Sequence, residues 1–221
     1  MEIKSHNNSL FNSATYRFGS TIVDPGDSEG FGENEITAVL LTHGHFDHIY
    51  GLNELLKRFP NALVYTNEYG AKMLVNDKLN MSKYHETPFV FEHPENIVIV
   101  DDGVGIDLDN GLTAKVYTTP GHNPSCLTFA VEDYLFTGDA YIPGIPTVVN
   151  LPHSNKADAI KSIEQIKSLA VGKIIYPGHI VTDCTTDTSV SGQFWNSSVD
   201  KLILPLQTKT NGNDKVKPSE Q

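Results

Sequence analysis

Three histidines and an aspartate fall within six residues, His43-Gly44-His45-Phe46-Asp47-His48, directly after the apolar run AVLLT of Ala38 to Thr42. The run has the composition of a buried strand. Extended backbone points residues two apart to the same side, so His43 and His45 can converge on one metal ion. Asp47 and His48 stand where a helix follows, and the turn can aim them at a neighbouring position. Gly44 lets the backbone pass close to bound ions. Imidazole and carboxylate together suit zinc, iron or manganese. Asp47 alone would read as a helix cap, but ligand types at this density are the mark of a metal site.

The same design recurs along the chain. His122 follows VYTTPG, Asp139 follows YLFTG and His179 follows KIIYPG. Each time an apolar strand runs into a glycine and then a residue able to bind metal, so ligands at like ends of several strands would meet above one sheet edge. Asp24 also ends an early strand, in Asp24-Pro25-Gly26, where a turn would also account for it.

The formal net charge of −11 makes the chain a poor partner for phosphate backbones, so no nucleic-acid partner is expected. Bound divalent ions would offset part of that charge locally. Cys126 and Cys184 make neither a disulfide framework nor a CxxC pair. The N-terminal MEIKSHNNSLF lacks a signal-peptide core, and no stretch approaches the roughly 20 apolar residues that span a bilayer. The expectation is a soluble, reduced, cytoplasmic protein acting on a small molecule, with no membrane partner and its oligomeric state left open.

Two short strands are expected in Ala14 to Val23 around Gly19 and Ser20. A helix carrying Ile49, Leu52, Leu55, Leu56 and Phe59 is closed by Pro60. Ala62 to Thr66 reads as a strand and Asn67 to Leu74 as a short helix. Asn76 to Pro94 is an irregular, partly aromatic excursion able to fold over a site; its Tyr84 and His85 are candidate lining residues, more in keeping with a surface position. Strands follow at Ile97 to Val100 and Leu112 to Thr118, then a hairpin of Leu127 to Val131 and Tyr134 to Thr137. Asn155 caps a helix to Ala170 whose inner face is read as Ile160, Ile163, Ile166 and Leu169, stopped at Gly172. Lys173 to Tyr176 is a last core strand. From about Thr208 the composition cannot bury apolar area, so residues 1–207 are expected to form one domain and residues 208–221 a disordered tail. Clustered strands argue for sheets covered by helices.

The succession HxHxDH, TPGH, TGD, PGH, from about Asn12 to His179, resembles the metallo-β-lactamase fold superfamily. The resemblance implies an α+β fold, a four-layer αββα sandwich with its site at the sheet edge. It implies one metal on His43, His45 and His122, a second on Asp47, His48 and His179, and Asp139 bridging both. Asp24 would support the ligands from behind. Asn80, Ser82, Pro88 and Phe89 resemble, loosely, the hydroxyacylglutathione hydrolase (glyoxalase) branch. Two divalent ions, zinc first with iron or manganese as alternatives, would activate a hydroxide against an ester, thioester or lactone. Asp47 would orient that nucleophile and pass a proton to the leaving group, and Tyr141 would donate to an oxyanion. Cys126 reads as a buried structural thiol. The competing expectations are a mononuclear iron persulfide or thiol dioxygenase of the same fold, and a metal-holding sensor without turnover.

Overall fold

In the computed structural model of the chain, residues 1–180 and 193–194 are described. The expected tail, residues 208–221, and Cys184 lie outside them. Six strands form the first sheet, in chain order: β1 (Lys4–Asn7), β2 (Ala14–Phe18), β3 (Thr21–Val23), β4 (Ala38–Leu40), β5 (Leu63–Thr66) and β6 (Ile97–Ile99). β1, β2 and β3 pair antiparallel, and β3 to β6 run parallel. The parallel steps need crossovers. These are supplied by α1 (Phe46–Ile49) with α2 (Leu52–Arg58), and by α3 (Glu68–Leu74).

The second sheet repeats the plan with β7 (Gly105–Asp107), β8 (Thr113–Thr118), β9 (Leu127–Val131), β10 (Tyr134–Gly138), β11 (Ile174–Pro177) and β12 (Gln193–Phe194), again in chain order. β10 and β11 are parallel, joined through α4 (Lys156–Leu169).

Side-chain parity builds the layers. Ala38 and Leu40 of β4 join Ala14, Tyr16, Phe129 and Phe136 in the core between the sheets. Val39 and Leu41, pointing the other way, pack with Ile49, Leu52, Leu55, Leu56 and Leu74 under the helices of the first half. Leu135 and Ile175 leave the opposite face of the second sheet to meet Ile166 and Ala170 at α4. The result is the αββα sandwich expected from the resemblance.

Two helices differ from their sequence reading. The expected single helix over Ile49 to Phe59 is two, because it begins earlier, at Phe46, and breaks at Tyr50-Gly51. A Cβ on Gly51 would stand 2.6 Å from the Asp27 carbonyl oxygen, so the break is also where the chain passes closest to the loop after β3. In α4, Asn155 does cap the helix, accepting from the N–H groups of Ala157 and Asp158. Its buried face, however, is Ala159, Ser162 and Ile166, while Ile160 is 52% exposed. Small residues win that face because Gly121 lies against the Ala159 backbone: a Cβ on Gly121 would stand 2.3 Å from the Ala159 nitrogen.

Among the described residues, no helix is long and apolar enough to cross a membrane.

Candidate metal centre

Strand direction brings the ligand-type residues together. Asp24 follows β3, His43 follows β4, His122 follows β8, Asp139 follows β10 and His179 follows β11. β3 and β4 are parallel, as are β10 and β11, and β8 and β10 both run antiparallel to β9. All these residues therefore leave the sandwich at one edge. Seam contacts fix the two sheets there: Leu127 N–H donates to Thr42 O at 2.7 Å, and Ala14 N–H to Gly178 O at 2.8 Å. Gly138 has φ of +51°, and a Cβ there would lie 2.2 Å from the Thr42 hydroxyl, so both conformation and space demand glycine.

Three groups of potential ligand atoms form at this edge, each within 4.8 Å of one another: His43, His45 and His122; Asp47, His48 and His179; and Asp24, His43 and His48, which overlaps the other two. Asp139 stands between the first two. Its Oδ2 is 3.5 Å from His122 Nε2 and 3.4 Å from His179 Nε2, and its Oδ1 is 3.6 Å from His48 Nε2. Asp47 Oδ2 is 3.5 Å from His48 Nε2 and 3.6 Å from His179 Nε2. The histidine rings crowd, with the His43 and His48 centroids 4.2 Å apart.

Each imidazole is held from behind, as ligating histidines usually are. His122 Nδ1 donates to Val148 O at 2.9 Å and His179 Nδ1 to Phe11 O at 3.1 Å. His48 Nδ1 donates to Asp24 Oδ2 at 3.2 Å, and His43 Nδ1 lies 3.3 Å from the Thr42 hydroxyl. His45 is turned the other way, with Nδ1 3.0 Å from His122 Nε2 and Nε2 3.2 Å from the Asn123 amide. The buried atoms His43 Nε2, His48 Nε2 and Asp139 Oδ1 are left without a hydrogen-bond partner. Unpartnered buried polar atoms are costly, and these three all face the same cluster of imidazole nitrogens and carboxylate oxygens. That donor set fits divalent cations.

Asp24 adopts φ of +49°, a left-handed conformation that a non-glycine residue takes at a cost. In that pose Oδ1 accepts from the Thr42 N–H at 2.7 Å, and Oδ2 accepts from the Thr42 hydroxyl and His48. The carboxylate is thereby engaged with the scaffold and steers His48.

Burial pushes His43 well below its ordinary pKa, helped by the neighbouring His48. Burial and His122 take His45 down to about 3. Both are therefore neutral, the ligand form of imidazole. Burial opposes charge on His48 too, but the carboxylates of Asp47 and Asp139 and the contact with Asp24 override it and lift the pKa to about 10. His179 is raised, Asp139 outweighing desolvation. For Asp139, burial would favour the acid, yet His48, His179 and His43 hold it well below the usual carboxylate range.

All seven residues expected to hold metal are thus gathered at one point, with Asp24 behind them. Tyr141 is partly buried against the cluster that includes Cys126, Leu135, Ala140 and Ile166, and its carbonyl accepts from the Thr137 hydroxyl at 2.6 Å. Cys126 is buried there, its thiol pKa pushed up by desolvation. Tyr84 is 87% exposed.

Asn80 and Ser82 act as braces of their own loop. The Asn80 amide donates to Met73 O and Phe89 O, both at 3.0 Å, and its Oδ1 accepts from Ser82 N–H. Ser82 Oγ accepts from Phe89 N–H at 2.7 Å. The brace reaches the site through Phe46 N–H, which donates to Asn80 O at 3.0 Å. Replacing Asn80 with alanine strands several buried partners, and a loss of roughly 2–4 kcal/mol in unfolding free energy is expected by denaturant titration; a loss below about 0.5 kcal/mol would contradict the brace.

Sequence reasoning missed Asn123 and Ser125. Asn123 accepts from the Ser125 N–H and hydroxyl, and Ser125 Oγ accepts from Gly44 N–H at 3.0 Å. The position of Asn123 next to His122 was the available signal.

The family model described as metallo-beta-lactamase superfamily matches residues 18–179. A probable metallo-hydrolase of Streptococcus pyogenes serotype M6 is 30% identical over 173 residues, covering 72% of this chain and 73% of that protein. A hydroxyacylglutathione hydrolase of Buchnera aphidicola subsp. Schizaphis graminum is 30% identical over 168 residues, 73% of this chain but only 57% of that protein's length. Among solved structures, the BLEG-1 B3 metallo-beta-lactamase superposes with a TM-score of 0.70 at 22% identity, over 81% of this chain and 92% of that one.

Proposed function

The chain belongs to the metallo-beta-lactamase superfamily, and from that premise we propose that it is a two-metal hydrolase cleaving an ester-, thioester- or lactone-type bond of a small molecule. One observation carries this reading: two adjoining ligand groups, His43/His45/His122 and Asp47/His48/His179, flank the carboxylate of Asp139, which approaches members of both, while Asp24 is held by Thr42. A donor set of that size exceeds what one tetrahedral ion needs.

Divalent ions held by these residues, zinc first, would supply Lewis acidity and a water acidic enough to serve as nucleophile near neutral pH. The rest falls to the chain. Asp47 sits at the start of α1, its carboxylate 3.6 Å from His179, where it can accept the proton of an attacking water and return it to the leaving group. Asp24, Val148 O and Phe11 O fix the imidazoles, so the arrangement costs little reorganisation during reaction. The Buchnera relative supports the thioester member of the class, though its glutathione specificity belongs to a longer protein.

The test is a panel of an aryl ester, a thioester, a lactone, a phosphodiester and, in air, a persulfide, run on zinc-loaded, iron-loaded, chelated and Asp47→Asn protein. Hydrolysis of a carbonyl substrate is expected, abolished by chelator and reduced roughly 10²- to 10⁴-fold per bound metal in Asp47→Asn reloaded with zinc to the wild-type count, the range for loss of a general base. Turnover confined to the persulfide with one bound iron would replace this reading with the dioxygenase.

A further inference from the structure

Phe11 is an exposed aromatic at the lip of this centre. The residue is 61% exposed while its carbonyl holds His179. It takes φ of +52° and Asn12 takes +55°, two consecutive left-handed residues of which neither is glycine. Such backbone is uncommon, more so for a bulky side chain, and marks a position held for a reason other than stability. The Phe11 ring meets Phe46 edge-on at 5.7 Å and His85 at 5.9 Å, and Phe46 and His85 pack at 4.1 Å. Phe46 lies between the ligand-type residues His45 and Asp47 in α1. Phe11 and His85 thus form a ledge, backed by the buried Phe46, on the Asp47–His179 side of the centre.

Beyond His85 the ledge opens into a cavity of about 420 Å³ lined by Leu10, Tyr50 and Thr87 together with Asp27 and Glu86. Two acids and no lysine or arginine line it among the described residues, and Asp27 is already paired with His6 at 3.0 Å. A carboxylate-bearing group entering here would meet like charge, whereas an uncharged ring or chain would cover exposed aromatic surface.

We propose that Phe11 and His85, backed by Phe46, are the specificity-determining surface for an uncharged, apolar, preferably flat group attached to the bond cleaved at the metal centre. This rests on the hydrolase reading for its place in a reaction, but not for its test, which reads binding. Zinc-loaded protein is titrated calorimetrically with acetate, 3-phenylpropanoate and glutarate, which share one carboxylate able to reach the metals and differ in what trails it. The phenyl compound is expected to bind about tenfold tighter than acetate, the effect of covering one ring's worth of apolar area. Glutarate should bind no tighter than acetate. In Phe11→Ala the phenyl advantage should fall to about twofold or less with zinc content unchanged, because the carbonyl that holds His179 is retained. His85→Ala, an independent variant on the same ledge, should lose part of it. Equal affinities in the wild type, a preference for glutarate, or a phenyl advantage surviving both substitutions would overturn the proposal. Loss of zinc in Phe11→Ala would overturn it as well, making Phe11 part of the scaffold. Failure of the hydrolase reading leaves these affinity ratios as they are, so the two outcomes are distinguishable.

Discussion

Asp139→Ala should empty both metal positions at once, lowering bound zinc from close to two ions per chain to well below one and activity by roughly three orders of magnitude or more. Its carboxylate approaches His122 and His179 through one oxygen and His48 through the other, so its loss removes a charge shared by both groups. Divalent ions would make a bound water acidic enough to react near neutral pH, and without them water would return to its weakly acidic bulk state and cease to be a competent nucleophile. His179→Ala is the contrast: it leaves His43, His45 and His122 intact and should remove about one ion of the two. Elemental analysis of both variants after equal zinc loading decides the matter. Equal loss in the two, or no loss in either, would contradict the bridging role of Asp139.

Chelation should destabilise the folded protein as well as inactivate it. Ligand binding at 100 to 1,000 times the dissociation constant contributes about 2.7–4.1 kcal/mol, which in a chain of this size moves the melting temperature by roughly 6–16 °C. The pH dependence of zinc uptake follows from the titrations. In the metal-free protein the folded pKa of His48 is about 10, above its unfolded value. Its protonated form therefore adds stability that is complete below about pH 6.5 and is lost as pH rises through about 10. Zinc must displace that proton, so affinity should climb by about tenfold per pH unit across pH 7 to 9 for this group alone, with His179, also raised, adding to the slope. His43 and His45, held neutral by burial, should contribute nothing in that window. Calorimetry in buffers of different ionisation enthalpy measures the protons released. A pH-independent affinity, or no protons released, would contradict the charge state assigned to His48.

The cluster of ligand-type residues was readable because it is local: each sits just past an apolar strand, and strand direction alone carries it to the common edge. The groups that orient those residues were mostly not readable. His122 and His179 are held by the carbonyls of Val148 and Phe11, and a carbonyl leaves no trace in side-chain identity. Asp24 was found because its partner is a side chain in a recognisable turn. Strands β2 to β5 were legible from apolar runs, whereas β1, with the sequence KSHN and a mostly exposed pattern, carries no apolar signal and is drafted by pairing with β2. The face of α4 was misread because periodicity favours the larger residue. Close approach of Gly121 selects Ala159 instead and turns Ile160 outward. Asn80 and Ser82, taken as a sign of branch membership, have a local physical explanation in the brace they form around Phe89.

The most direct measurement is the metal count of the wild-type chain, by elemental analysis after saturation with zinc and removal of the excess. Two ligand groups sharing Asp139 predict close to two ions per chain. A count that stops at one, or a chain that retains none, would contradict the two-metal centre on which the proposed hydrolysis depends.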